Sequence, residues 1–324
     1  MFIITSLFGV ISTRSFQNRA QMVSVNMSQP NYTSLSFDQL KEFKFDASKF
    51  FTIVFNGTKY FEVEEAVQFT SDHFVFALQA SIMYLIVIFG VKYIMRNREP
   101  FSLFIPLSIW NFLMAGFSII VLLNVFPELV SKIINHGYVN SFCYRYESHK
   151  GESGYWIWMF MVSRLFEFID TIFIVLRKRP LIFLHWYHHI QTVVQGHYIY
   201  SHQSAFIPYV ALVNAAIHSV MYTYYLLRSL KIRLPAKVPI IVTSMQIIQF
   251  VVGFYGFTHM FYVLYWQKIK CEIDTTVLHI SVCTNLSFLF LYINYFVQTH
   301  ILRGGKKKLQ FLSKFIAKEE IKIE

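Results

Sequence analysis

Seven predominantly apolar stretches, at about 74–95, 101–125, 155–176, 181–200, 205–227, 238–263 and 277–302, organise this sequence. Each is close to the roughly 20 residues that an α-helix needs to cross the hydrocarbon core of a bilayer. Lipid tolerates only helices and closed barrels, and continuous apolar runs of this length specify helices. The expected fold is therefore all-α, a polytopic membrane protein with seven transmembrane helices. Composition excludes the main alternatives. The chain is 55% hydrophobic and only 15% charged, against roughly 25% charged in soluble domains, which fits neither an ordinary soluble enzyme nor a disordered chain. Its 35 Phe and 20 Tyr exceed what a water-facing fold buries, whereas lipid and its interfaces accept them. Pro100, Pro180 and Pro239 stand near helix starts, where a missing N–H costs least.

A formal charge of +11 would suit nucleic acid if it were gathered on a soluble face. Its distribution says otherwise, and no nucleic-acid partner is expected. Alternate connections carry Lys92, Arg96 and Arg98, then Arg177, Lys178 and Arg179, then Arg228, Lys231, Arg233 and Lys237, then seven basic residues from Arg303 to Lys322. With their four acids these connections sum to +13, while residues 1–73 sum to −1 and the loops near 126–154 and 264–276 to zero. The basic side is expected to be cytosolic, which places the N-terminus in the lumen and the C-terminus in the cytosol. Sequons at Asn26, Asn31 and Asn56 lie on the lumenal side and are candidate N-glycosylation sites. Residues 2–11 are apolar but lack a basic leader, which disfavours a cleaved signal. Three regions follow: a lumenal arm over 1–73 with little structure of its own, a helical catalytic domain over 74–302, and a basic cytosolic tail over 303–324. Lys306, Lys307 and Lys308 read as a charge anchor in that tail.

Polar groups inside spans are costly unless paired or facing water, so their positions carry information. At about 1.5 Å per helical residue from the nearest basic loop, His185, His188 and His189 lie about 8 to 14 Å deep. On the same scale Asp170 and Glu167 lie at about 10 and 15 Å, His218 at about 15 Å, and Gln246 and Gln249 at about 14 and 18 Å. Four spans thus place polar residues in one layer, expected to open to the cytosol. His185, His188 and His189 of the fourth stretch stand at i, i+3 and i+4 and share a face. Arg164, Glu167 and Asp170 form an i, i+3, i+6 row, in which the Arg compensates one buried acid and leaves the other to orient a neighbour. Asn214, His218, Met221, Tyr222 and Tyr225 form another stripe, with Met221 read as packing.

Two chemistries compete for such a cluster. A His-x-x-His-His box is a metal-ligand spacing, used by di-iron membrane desaturases and hydroxylases. Only four histidines fall in the layer, and no His-Glu-x-x-His stands in the sequence, so the ligand count disfavours metal. The other class uses imidazole directly as nucleophile or base, with a carboxylate or amide fixing its tautomer. Glu167 and Asp170 supply orientation, and Asn214, Gln246, Gln249 and Tyr222 supply hydrogen bonds to an oxyanion. The basic loops at 177–179 and 228–237 flank the mouth, with Arg177, Lys178, Arg228 and Lys231 suited to the phosphates of a nucleotide-bearing carrier. A seven-span transporter or receptor shares the topology but leaves the box, His218 and the glutamine pair unexplained.

Four blocks, SRLFEFIDTIFIVLRK at 163–178, HWYHH at 185–189, NAAIHSVMYTYY at 214–225 and TSMQIIQF at 243–250, resemble in order and spacing the fatty acid elongases, the very-long-chain 3-oxoacyl-CoA synthases. The resemblance covers about residues 70–310, and the HWYHH form is similar to the branch acting on saturated and monounsaturated chains. Arg164 stands where many members have Lys, which keeps the charge. The family implies seven helices in the endoplasmic reticulum membrane, six of them forming a barrel around an acyl channel. It implies an acyltransferase that condenses acyl-CoA with malonyl-CoA, giving a 3-ketoacyl-CoA two carbons longer, CO2 and CoA, without a cofactor. His185, His188, His189, His218, Asn214, Glu167 and Asp170 are then the catalytic candidates, His188 the favoured acyl acceptor. Arg164, Tyr222, Tyr225, Gln246, Gln249, Arg177, Lys178, Arg228 and Lys231 are the substrate-binding candidates. Expected partners are membrane lipid and the ketoacyl-CoA reductase, dehydratase and enoyl-CoA reductase of the cycle. Apolar surface can also meet a second copy, so a homodimer is compatible. Cys143 and Cys271 both fall in loops assigned to the oxidising side and are expected to pair, whereas Cys283 is expected to pack within the last span.

Overall fold

The computed structural model describes residues 44–302, so Asn26, Asn31 and the tail lysines Lys306, Lys307 and Lys308 lie outside the described residues. Those described are helical, without strands. In chain order the helices are α1 (Ala47–Asn56), α2 (Val63–Asp72), α3 (Phe74–Ile94), α4 (Phe104–His136), α5 (Tyr138–Cys143), α6 (Gly151–Phe166), α7 (Phe168–Leu176), α8 (Phe183–Ser201), α9 (Ile207–Ser229), α10 (Val238–Phe261) and α11 (Thr275–Phe296). Among the described residues, five segments are long and apolar enough to cross a membrane: Phe74–Asn97, Phe104–His136, Ile207–Ser229, Val238–Trp266 and Thr275–Leu302. The third and fourth apolar stretches of the sequence are helical too, but one is broken into α6 and α7 at Glu167. The other, α8, carries its polar side chains on buried or half-buried positions. There Tyr187 is hydrogen-bonded to Ser287, and Gln191 and Gln195 donate to Thr284 and Ser281 of α11. Such partners are what a polar helix needs among apolar neighbours.

Two expectations about the chain's ends and loops are corrected. Residues 47–72 are not an arm without structure. Ile53 of α1 and Ala66, Val67 and Phe69 of α2 are buried in one core cluster with Trp158 of α6, and the Trp158 indole donates to Thr70 Oγ1 at 3.2 Å. The division at residue 73 therefore cuts through a packed core. The second stretch does not stop near 125, because α4 continues to His136 through Pro127. Its 33 residues span about 50 Å, against about 30 Å of hydrocarbon, so α4 is longer than a crossing requires.

The end of the bundle past His136 is closed covalently. Cys143 and Cys271 form a disulfide across 128 residues of sequence, and the Glu272 N–H donates to the Cys143 carbonyl at 2.7 Å beside it. Arg145 pairs with Glu272 at 3.1 Å, and His149, whose titration burial pushes down to about 3, stays neutral with Nε2 3.3 Å from the Ser204 carbonyl. Cys283, expected in packing, is exposed on the outer face of α11. Closing so long a loop stabilises mainly by restricting the unfolded chain, about 2–5 kcal/mol. Peptides containing Cys143 and Cys271 should accordingly migrate as one species in a non-reducing digest and separate on reduction; separate peptides before reduction would refute the bridge.

Candidate active site

The break between α6 and α7 sets the site. Glu167 stands at the break, fully buried at 0% exposure. Arg164, one turn earlier, pairs with both its oxygens, Nη2 to Oε1 at 2.9 Å and Nη1 to Oε2 at 3.2 Å. The same guanidinium donates to Asn214 Oδ1 at 3.2 Å and lies over the Phe160 ring at 4.1 Å. A carboxylate taken wholly out of water persists only with such a partner. Two histidines from different helices complete the surround: His218 of α9 places Nδ1 3.4 Å from Oε1, and His189 of α8 places Nδ1 3.9 Å from Oε2. Among the described residues no three His, Cys, Asp or Glu side chains converge as ligands on a common point; these histidines are arranged around a carboxylate.

The box histidines differ in their partners. His185 Nε2 is hydrogen-bonded to Thr171 Oγ1 at 2.9 Å, and Thr171 in turn to the Tyr84 hydroxyl of α3 at 2.7 Å. The His185 and His189 rings are 4.5 Å apart between centroids. His188 meets the rings of Phe288 at 5.0 Å and Tyr292 at 6.4 Å, among apolar neighbours and away from the carboxylate contacts of His189.

Asp170 does not orient a histidine, as its place in the row suggested. Its oxygens accept from the Tyr222 hydroxyl at 2.7 Å and from Trp110 Nε1 at 2.5 Å, tying α7 to α9 and α4. Six residues of helix rotate Asp170 about 120° from Arg164, and it stands past the break at Glu167, in α7. Gln246 donates to Met221 Sδ at 3.3 Å, so Met221 serves as an acceptor at the cavity wall. Gln249 Oε1 is buried and unpartnered.

A cavity of about 520 Å³ gathers the layer inferred from depth. Glu167, Asp170, His185, His188, His189, His218, Tyr222, Gln246 and Gln249 all line it, with Arg177, Arg228 and Tyr225 at the arginine-bearing end. Arg164 and Asn214 instead line a second, mostly apolar cavity of about 260 Å³, and His188 and Gln249 border both. The second cavity continues toward Phe142, Phe206 and Phe257, which pack with the disulfide end.

Lys178 and Lys231 are turned away from these cavities. Each follows a helix end with positive φ, 51° and 61°, and such left-handed closures reverse the chain. Lys178 Nζ consequently donates to the carbonyls of Arg96 and Arg98, and Lys231 lies over the Phe104 ring. The reversal brings Arg179 to the cavity instead. Arg179 belongs to the basic loop at 177–179 expected at the mouth, whereas sequence reasoning did not single out Thr171, Tyr84, Trp110 or the buried, cavity-lining Asn111. Thr171 had a usable signal, seven residues after Arg164 and so on its helical face, as had Asn111, a polar residue inside an apolar stretch; Tyr84 and Trp110 had none short of tertiary contacts.

The fold and this site describe an integral membrane protein with a carboxylate and histidine centre between an arginine-bearing end and an apolar cavity. Residues 69–308 match the GNS1/SUR4 (ELO) family, and the chain belongs to that family. It is 44% identical over 276 residues to long chain fatty acid elongase 1 of Caenorhabditis elegans, covering 85% of this chain and 96% of that protein. To long chain fatty acid elongase 2 of the same organism it is 34% identical, over 79% and 94% of the two chains. To human very long chain fatty acid elongase 3 it is 29% identical, over 74% and 88%.

Proposed function

We propose that this protein is a fatty acid elongase that condenses a long-chain acyl-CoA, saturated or monounsaturated, with malonyl-CoA. The observation that carries the reading is the position of His188, which borders both the polar cavity and the apolar one. An acyl chain threaded past it would rest its hydrocarbon in the apolar cavity and its thioester beside the histidines, with the CoA phosphates at Arg177, Arg179 and Arg228. Imidazole of His188 attacks the thioester carbonyl, and CoA leaves as the thiol with the imidazole proton. Malonyl-CoA then loses CO2, and the resulting enolate attacks the acyl-imidazole, expelling the imidazole, which takes up one proton from solvent, and giving the 3-ketoacyl-CoA and neutral His188. His218, held near Glu167, with Asn214 nearby, stabilises the enolate oxygen, in the manner of donors placed where charge develops. Because decarboxylation supplies the carbanion equivalent, this chemistry needs no metal, nicotinamide or flavin.

On this reading all seven apolar stretches span the endoplasmic reticulum membrane, six of them surrounding the acyl channel, with the N-terminus lumenal and the mouth cytosolic. Asn56, at the C-terminal end of α1, would carry its glycan on the lumenal side. The ketoacyl-CoA reductase, dehydratase and enoyl-CoA reductase steps belong to partner enzymes in the same membrane, and a homodimer fits the remaining apolar surface. Incorporation of radiolabelled malonyl-CoA by microsomes expressing the chain, over a series of acyl-CoA lengths, tests the reading; no incorporation at any length with confirmed expression would sink it.

Channel depth gives a graded prediction. Gly253 and Gly256 line the apolar cavity at one and two turns beyond Gln249, and a Cβ at Gly256 meets nothing closer than Phe142 at 3.9 Å. Gly256→Leu should shorten the longest acyl chain accepted while sparing shorter ones. Gly253→Leu, nearer His188, should shorten it further, at the expense of displacing the Asn285 amide, 2.6 Å from such a Cβ. Product profiles by gas chromatography would check this, and an unchanged profile in both variants would place the chain elsewhere.

A further inference from the structure

Helix α1 has three distinct sides. At 3.6 residues per turn, Phe50, Ile53 and Val54 share one side, Phe51 and Phe55 a flank about 100° away, and Ser48, Thr52 and Asn56 the side beyond. The first side packs into the core, where Ile53 is buried and Phe50 lies 5.9 Å from the Trp158 ring. The flank is bare: Phe51 is 51% exposed, Phe55 81%, and Tyr60 just after the helix 61%, with Phe51 and Phe55 stacked at 5.8 Å. Neighbouring α2 shows the opposite exterior, exposing Glu64, Glu65, Gln68 and Asp72.

The placement of α1 gives that flank a partner. At its N-terminal end the Phe45 ring packs tilted against Phe76 at 4.6 Å, and the Asp46 N–H donates to His73 Nε2 at 2.9 Å. These residues bracket the start of the first membrane-crossing helix. At its other end Val54 O accepts from the hydroxyl of Tyr155, in the first turns of α6. The helix therefore bridges the ends of two helices on the face of the bundle away from the arginine-bearing mouth, at the level where apolar surface begins.

From this geometry we infer that α1 is an interfacial helix, lying in the plane of the membrane with Phe51, Phe55 and Tyr60 seated at the boundary between headgroups and acyl chains. The occupant is lipid because the flank is bare and aromatic and α1 is tied by Phe45 and Asp46 to the start of α3, a helix long and apolar enough to cross a membrane, on which Ile82, Met83, Ile86 and Phe89 are exposed. Aromatic side chains favour that depth, and a helix with core, lipid and water sides suits it. The polar side, with Ser48, Thr52 and the Asn56 sequon, remains in water.

Site-directed spin labelling of the full chain in phosphatidylcholine vesicles tests this. Cys283 is the one free cysteine among the described residues, so a Cys283→Ser background gives labels at Phe51→Cys, Phe55→Cys, Thr52→Cys and Glu65→Cys. Labels at 51 and 55 are expected to be relaxed strongly by oxygen and weakly by a water-soluble nickel chelate, and labels at 52 and 65 the reverse. Equal chelate accessibility at all four positions would overturn the inference. Shielding of 51 and 55 from both agents, with dipolar coupling between labels, would overturn it in favour of a second copy on this flank. Because 51 and 55 report independently on one flank, failure of either variant to fold leaves the other decisive.

Discussion

Malonyl incorporation should fall to background when His188 is replaced by Ala, while the protein remains folded. Loss of a single acid–base group already costs roughly 10²–10⁴-fold, and loss of an acyl acceptor removes the pathway itself. The fold should tolerate the change because the ring of His188 meets the rings of Phe288, Tyr292 and His189 and is not a member of the buried ion pair of Arg164 and Glu167. The informative measurement is the half-reaction. Without malonyl-CoA, the parent should release CoA from acyl-CoA in a burst equal to the enzyme present, and the variant should release none. A fully active variant would assign the acceptor role to another imidazole of the box.

The second large effect separates structure from chemistry at Glu167. Arg164→Met leaves a carboxylate without its main counter-charge at a position fully closed to water, and breaking a buried pair from one side costs about 3–5 kcal/mol. Melting in detergent should drop sharply. The double variant Arg164→Met with Glu167→Gln removes both charges, and should recover most of that loss, short of about 1 kcal/mol for the partner that Asn214 loses. Activity should not return, because the carboxylate that faces His218 at 3.4 Å and His189 at 3.9 Å is gone. If the double variant melted no higher than the single, the pair would not be the source of the instability.

These residues show how far the sequence could be read. Depth along each helix follows from rise per residue, so the common layer of His185, His188, His189, His218, Gln246 and Gln249 was legible, and all of them line one cavity. Azimuth and partner choice were less so. Asp170 lines that cavity too, yet its partners are Tyr222 and Trp110 and not a histidine. Lys178 and Arg179 are adjacent, and a left-handed residue after α7 decides which reaches the cavity. The helices α1 and α2 were missed because they are short and mixed in polarity, and their stability comes from Trp158 and its neighbours, far away in sequence.

By itself the sequence determined the helical class, the apolar segments, the asymmetry of charge and the shared depth of the polar groups. All of these are one-dimensional: they depend on transfer free energies and helical rise, which each segment carries with it. Only the tertiary structure decided that Glu167 sits among Arg164, His189 and His218, that Thr171 and Tyr84 hold His185, and that an apolar cavity runs from His188 toward the disulfide end. Those facts depend on how helices rotate and break against one another, and the packing that sets rotation is shared between segments distant in the chain.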